Sequence, residues 1–490
     1  MTTVEAGKDY KLHIGGEWVA AKDTYSIVNP ATEEVVAEAP EATIDDVNAA
    51  AAAAKAAFDS WSRTSKKERS ALIRAAADRW VEKQAEMVPL VQAETGAVIG
   101  VAAGAQVPGC SNRLYEYADL ALEDWDEPLT PSESMSSQLG PGALLGAIAI
   151  RQPVGVCGCI TPYNFPLTSV AGKIGPALAM GNTVIIKPAP QDPLGIIEMV
   201  KVFEEVGFPP GVINIVTGSK PEIGAALVDS PDVDMISFTG SSVVGAKIFE
   251  AGGKTMKRLL MELGGKGAAL VLHDADIPTA VRGISSVWAF HSGQICTAPT
   301  RVVVHRSLYQ ELVDALAQVA KVLPTGDPLD TKTVVGPVIS GVQRDRIESM
   351  IAGGKDDGAE IVVDGRRPEH LEKGYFVAPT LLAECTNDMF IVRNEIFGPV
   401  VVVVPFDDEE EGIAIANDSP YGLYDYVFSK DTVRAYAVAK RLRCGNVGVN
   451  TTGRNPHTPF GGFKMSGVGR MDGHFGMHTY SELQSIVWPS

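Results

Sequence analysis

Cys296 is a candidate nucleophile. It ends a glycine-containing turn in the segment 292–297, after the apolar stretch 287–290. A cysteine thiol is intrinsically nucleophilic and partly ionised near neutral pH, so it can form a covalent bond to an electrophilic carbon. Alone, a cysteine in a chain of this size is more often a small buried apolar residue. A catalytic interpretation of Cys296 therefore depends on the residues that the fold brings to it.

Three further polar side chains could act beside such a nucleophile. Asn164 lies in the loop 161–167 directly after an apolar strand, and loops at the carboxyl ends of parallel strands bind ligands in α/β folds. Its amide could donate to a developing oxyanion, although asparagine also commonly caps its own loop. Glu262 stands beside a double glycine, where a surface salt bridge is the ordinary alternative, and Glu395 lies in an apolar turn.

Two segments are suited to a nucleotide. Lys187 ends an apolar strand; a lysine there usually extends to solvent, but in a nucleotide site it would bind ribose or phosphate oxygens. The stretch from Gly240 to Gly245 opens a helix after another strand, and the N–H groups and dipole of a helix start favour a pyrophosphate. This GxxxxG pattern is a weak signal, and no GxGxxG lies near it.

Apolar strands and helices alternate along much of the chain, and this alternation must position those residues. Strands are predicted at 154–160, 183–186, 212–216, 235–238, 268–271, 301–304 and 400–404, after a hairpin at 11–19. Helices are predicted at 49–57, 169–180, 194–206, 308–322 and 432–443, and a helix that begins after Ser65 continues through Trp80. Continuous apolar strands between helices predict parallel sheets covered on both faces.

Composition excludes several classes of protein. The 490 residues allow two or three domains, and a net charge of −18 argues against a nucleic-acid partner, which requires a basic surface. We find no apolar run of about 18 residues, so no membrane span is expected, and no secretion signal at the N-terminus. Six scattered cysteines suggest free thiols and a cytoplasmic protein, with Cys157 and Cys159 in the core. The sequence has no HExxH pattern, so no metal site is expected.

Six segments, in order along the chain, resemble the aldehyde dehydrogenase superfamily. They are 163–166 (Tyr-Asn-Phe-Pro), 238–241 (Phe-Thr-Gly-Ser), 262–266 (Glu-Leu-Gly-Gly-Lys), 293–296 (Gly-Gln-Ile-Cys), 395–399 (Glu-Ile-Phe-Gly-Pro) and 459–467 (Pro-Phe-Gly-Gly-Phe-Lys-Met-Ser-Gly). Any one of these motifs is modest evidence, but six collinear motifs that span nearly the whole chain are strong evidence.

The resemblance implies an α/β fold with two doubly wound parallel-sheet domains, a Rossmann-like cofactor domain and a catalytic domain, plus a small β oligomerisation arm. We expect the dinucleotide-binding domain at 1–127 and 150–262, the catalytic domain at 263–463 and the arm at 128–149 and 464–490. In the family such arms pair with a neighbouring subunit, so a homo-oligomer, dimer or tetramer, is expected. The alternative is an ordinary edge strand within one chain.

The resemblance also implies the chemistry. Cys296 would attack an aldehyde, Asn164 would stabilise the oxyanion, the thiohemiacetal would pass hydride to NAD(P), and Glu262 would activate water to hydrolyse the thioester. The implied cofactor-binding residues are Thr161, Pro162, Tyr163, Lys187, Pro190, Gly240, Ser241, Gly245, Leu263, Gly264, Glu395 and Phe397.

Two departures from the family pattern concern the cofactor and the base. Pro190 stands where many NAD-preferring members carry a glutamate that repels a 2′-phosphate. NADP therefore stays open, although we favour NAD. Met471 stands where some members carry a second glutamate, proposed as a proton relay, so Glu262 is the expected base.

The implied substrate pocket differs from several members of the family. It comprises Phe165, Thr168, Ser169, Gly172, Phe290, Ile295, Thr297, Arg454 and Phe460. Small residues at 168, 169 and 172 should widen the channel, which favours a medium-to-bulky or aromatic aldehyde. Arg454, near the expected funnel mouth, could instead attract the carboxylate of a semialdehyde, or be a solvated loop residue. His291 is expected to line the pocket rather than to form a dyad with Cys296.

Two other functions compete with hydrolytic aldehyde oxidation. In a CoA-acylating member, CoA rather than water releases the acyl group, and a water-activating Glu262 would be unhelpful. A catalytically silent member would serve as a binding protein. The joint presence of Cys296, Asn164 and Glu262 argues against that second alternative.

Overall fold

A computed structural model describes residues 8–136 and 142–489 of the chain. Residues 1–7, where no secretion signal was expected, lie outside the described residues, as do residues 137–141 of the predicted arm and residue 490. Within the described ranges, none of the helices combines the length and the apolar character needed to cross a bilayer.

The strands and helices alternate along the chain. The strands are β1 (Leu12–Ile14), β2 (Glu17–Val19), β3 (Asp23–Val28), β4 (Val35–Glu41), β5 (Glu127–Glu133), β6 (Leu144–Pro153), β7 (Val156–Ile160), β8 (Thr183–Lys187), β9 (Ile213–Ile215), β10 (Met235–Thr239), β11 (Arg258–Glu262), β12 (Ala268–Val271), β13 (Arg301–His305), β14 (Glu360–Val363), β15 (Thr380–Ala383), β16 (Val400–Phe406), β17 (Tyr424–Phe428), β18 (Asn446–Val449), β19 (Gly467–Val468) and β20 (Ser481–Pro489). The helices are α1 (Ile44–Ser62), α2 (Lys66–Thr95), α3 (Ile99–Val101), α4 (Val107–Leu120), α5 (Pro166–Ala179), α6 (Leu194–Glu205), α7 (Pro221–Asp229), α8 (Ser242–Gly253), α9 (Ile277–Trp288), α10 (Tyr309–Val322), α11 (Gly341–Asp356), α12 (Phe390–Arg393), α13 (Glu409–Asn417), α14 (Thr432–Ala439) and α15 (Gly473–Thr479).

Two large sheets carry the fold. The first has the order β19-β11-β10-β7-β8-β9-β1-β2, and the second has the order β14-β15-β16-β13-β12-β17-β18. From β11 to β9 and from β15 to β18 the neighbouring strands are parallel, while β19, β1, β2 and β14 pair antiparallel at the edges. The predicted α/β class with two parallel sheets is therefore confirmed.

The smaller sheets are antiparallel. One has the order β20-β6-β5, and the other pairs β3 with β4. The segment 464–490, assigned as a whole to the arm from sequence, divides between two sheets. Strand β19 pairs with β11 of the first large sheet, and only β20 pairs with β6.

Local sequence signals explain the helix starts. Thr43 forms a reciprocal capping box with Asp46 at the start of α1, and the Ser65 hydroxyl accepts the N–H of Glu68 at the start of α2. Helix α2 continues well beyond Trp80, the predicted extent, and includes a proline at position 89. The side chains of Cys157 and Cys159 on β7 are fully buried, which confirms their interpretation as core residues.

Candidate active site

Cys296 lies on the wall of an elongated cavity of about 900 Å³ at the carboxyl ends of β7, β8, β10 and β11. It is half-buried, whereas the other five cysteines are buried. The same wall carries Asn164, which follows β7, and Glu262, the last residue of β11. The fold thus brings together the three side chains that the sequence assigned to catalysis.

The loop before Cys296 fixes the amide of Asn164. Gly293 has φ +70°, and a Cβ there would collide with the backbone oxygen of Gly398, so only glycine fits. The Gln294 side chain is fully buried and accepts the N–H of Ile339 at 3.0 Å. Its backbone oxygen accepts the Asn164 amide at 2.8 Å. One hydrogen of that amide is therefore committed to the loop, and the second has no acceptor among the described residues.

His291 packs within the pocket wall. Its side chain is buried, with its ring centroid 5.2 Å from that of Phe165, and it forms a hydrogen bond with the backbone of Asn164. Burial lowers the pKa of His291 to about 4, against the opposing effect of that hydrogen bond. The imidazole is therefore neutral at physiological pH, and its described contacts are with the wall rather than with the thiol of Cys296.

Glu262 is a buried acid with free oxygens. Its side chain is 3% exposed, and neither carboxyl oxygen has a hydrogen-bond partner among the described residues. A Cβ at Gly461 would approach one of these oxygens to 2.9 Å, so a glycine there leaves room for the carboxyl group. Burial raises the pKa of Glu262 well above its usual value, while Lys173 opposes this shift.

The double glycine after Glu262 permits two close contacts. A Cβ at Gly264 would collide with the carboxylate of Glu395, and a Cβ at Gly265 would collide with the backbone oxygen of Cys296. The N–H of Gly265 instead donates to Glu395 at 3.0 Å. Burial raises the pKa of Glu395 to about 7, and the Gly265 N–H and Arg346 oppose this effect.

The thiol of Cys296 lies in surroundings that disfavour its ionisation. Burial, followed by the neighbouring Glu395, raises the pKa of Cys296 to about 12. Arg454 acts in the opposite direction and lowers this pKa. The thiol is therefore protonated at neutral pH unless a further positive charge or a base comes near it.

Most of the predicted cofactor residues line the cavity. They are Thr161, Pro162, Tyr163, Lys187, Pro190, Gly240, Ser241, Leu263, Gly264, Glu395 and Phe397. Gly245 is the exception. A Cβ at this position would collide with the side chain of Leu263, so the glycine allows α8 to pack closely against the cavity wall rather than lining the cavity.

The chemistry of this wall fits a dinucleotide. Helix α8 begins at the cavity: Ser241 caps its first turn by accepting the N–H of Val244. The dipole at that start favours a pyrophosphate. Lys187 supplies an ammonium group 8% exposed, and burial lowers its pKa to about 8. The buried hydroxyl of Thr161 has no described protein partner and remains available to a ligand.

Two residues that the sequence did not single out hold the Glu395 turn. Arg346 donates to the backbone oxygens of Glu395 and Ile396, and Gln343 donates to those of Ile396 and Phe397. These contacts fix Phe397 at φ +58°, with its ring edge-on to Tyr163 at 5.8 Å. Both side chains come from α11, far away in sequence, and no local motif marks them.

The predicted substrate residues lie in two groups. Phe165 stacks on Phe290 with 6.5 Å between ring centroids, near the half-buried Ile295. Phe460 contacts Arg454, whose guanidinium carbon is 3.9 Å from the ring centroid. Thr297 is buried, and its backbone oxygen accepts the hydroxyl of Tyr426 at 2.7 Å.

The expected widening of the channel by small residues is wrong at two positions. A Cβ at Gly172 would lie 2.5 Å from the guanidinium of Arg113, so an arginine from α4 fills the space that this glycine leaves. The Thr168 hydroxyl donates to the backbone oxygen of Gln106 at 3.2 Å and therefore faces that same region of the chain. Ser169 is half-buried on the first turns of α5.

Arg454 is an exposed loop residue, as considered from sequence, and it also forms an ion pair. It donates to one carboxyl oxygen of Asp472 at 2.7 Å, while Arg113 donates to the other at 2.5 Å. Asp472 is 3% exposed and has φ +69°. Neither Arg113 nor Asp472 was predicted, because a single sequence does not indicate which side chain occupies the space beside Gly172.

Comparisons with known proteins identify the family of the chain. The model of the aldehyde dehydrogenase family matches residues 18–486. A 3-succinoylsemialdehyde-pyridine dehydrogenase from Pseudomonas sp. is 39% identical over 98% of this chain and 99% of its own length. Betaine aldehyde dehydrogenase from Bacillus subtilis (strain 168) is 38% identical over 97% and 96%. The crystal structure of betaine aldehyde dehydrogenase from Staphylococcus aureus in complex with NAD+ is 36% identical, covers 98% of this chain and 95% of its own, and superposes with a TM-score of 0.93.

Proposed function

Since the chain belongs to the aldehyde dehydrogenase family, we propose that it oxidises an aldehyde to the carboxylic acid with NAD+, through a thiohemiacetal and a thioester on Cys296. The observation that carries this proposal is the single cavity whose wall holds Cys296, Asn164 and Glu262 together with the start of α8 and Lys187. A nucleophile, an oxyanion donor, a base and a dinucleotide surface thus share one space.

The first step is attack on the aldehyde. Cys296 loses its proton to solvent, and the sulfur forms a bond to the carbonyl carbon. Burial raises the pKa of Glu262, which makes its carboxylate a stronger base for the second step. The carbonyl oxygen becomes an oxyanion, which the free hydrogen of the Asn164 amide and the N–H of Cys296 stabilise.

The second step releases the acid. NAD+, when bound, supplies the acceptor for the hydride that leaves the former aldehyde carbon. Glu262 then takes a proton from a water molecule, whose oxygen attacks the thioester carbon. The carbon–sulfur bond breaks, the acid leaves, and Cys296 regains the electron pair of that bond. Asn164 serves the same oxyanion position in both steps.

We propose NAD rather than NADP as the preferred cofactor. Pro190 offers no carboxylate to repel a 2′-phosphate, but an acidic side chain contacts Ser219, which also lines the cavity. Glu41 is 6% exposed, accepts the hydroxyl of Ser219 at 2.6 Å, and its charge raises the pKa of Lys187. The NAD+ bound in the crystal structure of the S. aureus relative supports the same choice.

The substrate proposal changes with the structure. A medium-to-bulky or aromatic aldehyde was expected because small residues at 168, 169 and 172 should widen the channel, but Arg113 fills the space beside Gly172. The relatives are named for both betaine aldehyde and a pyridine semialdehyde, so their names do not fix a substrate. We therefore favour the alternative, an aldehyde that carries a carboxylate. We further propose a cytoplasmic homo-oligomer, consistent with six free cysteines.

The proposed activity is tested with an aldehyde panel supplied with NAD and NADP in parallel and followed at the nicotinamide absorbance. Cys296→Ala should abolish oxidation and leave NAD binding, measured by calorimetry, unchanged. Glu262→Gln should keep a rapid burst of nicotinamide reduction but slow steady-state turnover by about a hundredfold or more, because hydrolysis loses its base. Undiminished steady-state turnover in that variant would refute the role of Glu262. Faster acyl release with CoA than with water would favour the CoA-acylating alternative.

A further inference from the structure

Arg454 is a cation whose charge acts on Cys296 and whose hydrogen-bonding capacity is only partly used. Its side chain is 36% exposed, and one of its nitrogens donates to Asp472. In the described part of the chain, its two other nitrogens have no protein acceptor. The guanidinium plane rests on the ring of Phe460 at 3.9 Å, which limits how the group can turn.

The main chain connects Arg454 to the reacting groups. Phe460 precedes Gly461, where a Cβ would lie 2.9 Å from the Glu262 carboxyl. Phe460 also exchanges backbone hydrogen bonds of 2.9 and 2.7 Å with Met471, the residue before Asp472. The charge of Arg454 lowers the pKa of both Cys296 and Glu262, so its field reaches the nucleophile and the base.

Asp472 does not neutralise the cations around it. Its single carboxylate is divided between Arg113 and Arg454, one oxygen to each. The next acid, Glu116, pairs with His457 at 3.2 Å, and among the described residues it forms no ion pair with either arginine. The cluster therefore keeps an excess of positive charge, and Arg454 is its more exposed arginine.

We propose that Arg454 binds a carboxylate at the far end of the substrate, so that the enzyme prefers aldehydes bearing a carboxylate to uncharged aldehydes of the same length. The inference rests on the proposed oxidation of aldehydes. A guanidinium offers paired N–H donors that match the two oxygens of a carboxylate, and Asp472 and Phe460 hold this one in place before substrate arrives. Arg454 is thus a specificity-determining residue, with Asp472 as its positioning residue.

The turnover test compares succinic semialdehyde with butanal. Wild-type enzyme should show a kcat/KM about tenfold to a hundredfold higher for the semialdehyde, as expected for a charge-assisted contact. Arg454→Met should remove this preference by lowering kcat/KM for the semialdehyde far more than kcat/KM for butanal, and Arg454→Lys should restore part of it. Asp472 keeps Arg113 as a partner in these variants, which favours correct folding. Arg443→Met is the matched control, because Arg443 also contacts a phenylalanine, Phe463 at 5.4 Å.

A second readout does not depend on turnover. Succinate should slow the alkylation of Cys296 by iodoacetamide, whereas uncharged succinamide of the same length should not, and Arg454→Met should abolish the difference. If wild-type enzyme shows equal kcat/KM for succinic semialdehyde and butanal, the proposed anion site is wrong, although oxidation of butanal still supports the proposed function. Equal protection by succinate and succinamide would also contradict the anion site. If no aldehyde is oxidised, the proposed function fails, and the protection experiment alone decides whether Arg454 binds carboxylates.

Discussion

The thiol of Cys296 is surrounded by groups that oppose its ionisation. Burial, followed by the nearby acids Glu395 and Glu262, raises the pKa of this thiol. The charge of Arg454 lowers this pKa but does not cancel the increase. In the proposed mechanism, the proton must therefore leave at the moment of attack, or a positive charge must first enter the cavity. The resting enzyme would then keep its nucleophile in the less reactive, protonated form.

Alkylation of the thiol tests this account through its pH dependence. With a pKa of about 12, Cys296 is protonated throughout the range from pH 7 to 10, so its rate of reaction with iodoacetamide should rise about tenfold per pH unit without a plateau. Added NAD+ carries a positive ring and should raise the rate at pH 7. A plateau at or below about pH 8 without NAD+ would contradict the protonated resting state. Cys296→Ala provides the blank, since the other cysteines are buried.

Among individual residues, the sequence predicted those of the reacting centre better than those of the substrate pocket. Cys296 and Glu262 belong to motifs with local glycine patterns, and those glycines make the close contacts that the structure shows. Asn164 was indicated by its place in the loop directly after an apolar strand. Arg113 and Asp472 carry no such signal. Their pairing joins α4 to the chain just before α15, over 350 residues apart, and depends on a space that only the folded chain defines.

Among the elements, short-range signals were sufficient for most strands and for the helix starts. Apolar runs predicted β7, β8 and β10, because both faces of a central parallel strand are covered. The division of the segment 464–490 could not be predicted in this way. The two residues of β19 join the first large sheet through pairing with the end of β11, beside Glu262, and a two-residue strand has no periodicity of its own.

The turn before Cys296 should be intolerant of any side chain at Gly293. Gly293→Ala would place a Cβ against the backbone of Gly398 and would force an alanine to φ +70°. The loop must then move, which displaces the thiol from the Asn164 amide and should lower kcat/KM by about a hundredfold. The expected fall in melting temperature is small, because the loop contributes little to either sheet.

A matched substitution separates local displacement from a general effect of losing glycine. Gly353 lies in α11 and has open space where a Cβ would be added. Gly353→Ala should therefore leave kcat/KM unchanged and stabilise the protein by about 0.5–1 kcal/mol, measured by urea unfolding. If Gly293→Ala retains wild-type kcat/KM, the turn does not position the nucleophile as argued.

At the scale of the whole molecule, the three-stranded sheet β20-β6-β5 presents exposed outer strands. All of β5 is exposed, and β20 is exposed from residue 483 onward, where Leu483, Val487 and Trp488 present apolar side chains to solvent. Strand β20 is also the edge of its sheet, so within the ranges 8–136 and 142–489 its outer N–H and C=O groups have no strand partner. An apolar, unpaired edge of this kind favours association with a second copy of the chain.

We therefore expect a homo-oligomer, dimer or tetramer, held together through this sheet. Light scattering at micromolar concentration should give a mass of at least twice the 51.9 kDa of one chain. The double change Leu483→Asp and Val487→Asp places two charges on one side of β20 and should shift the mass toward the monomer, because a charge buried in an interface without a partner is costly. Val433→Asp, at a residue 80% exposed on α14, supplies the control and should leave the mass unchanged. If the wild-type protein is a monomer, or if the two charges on β20 leave the oligomer intact, the sheet does not form the predicted interface between subunits.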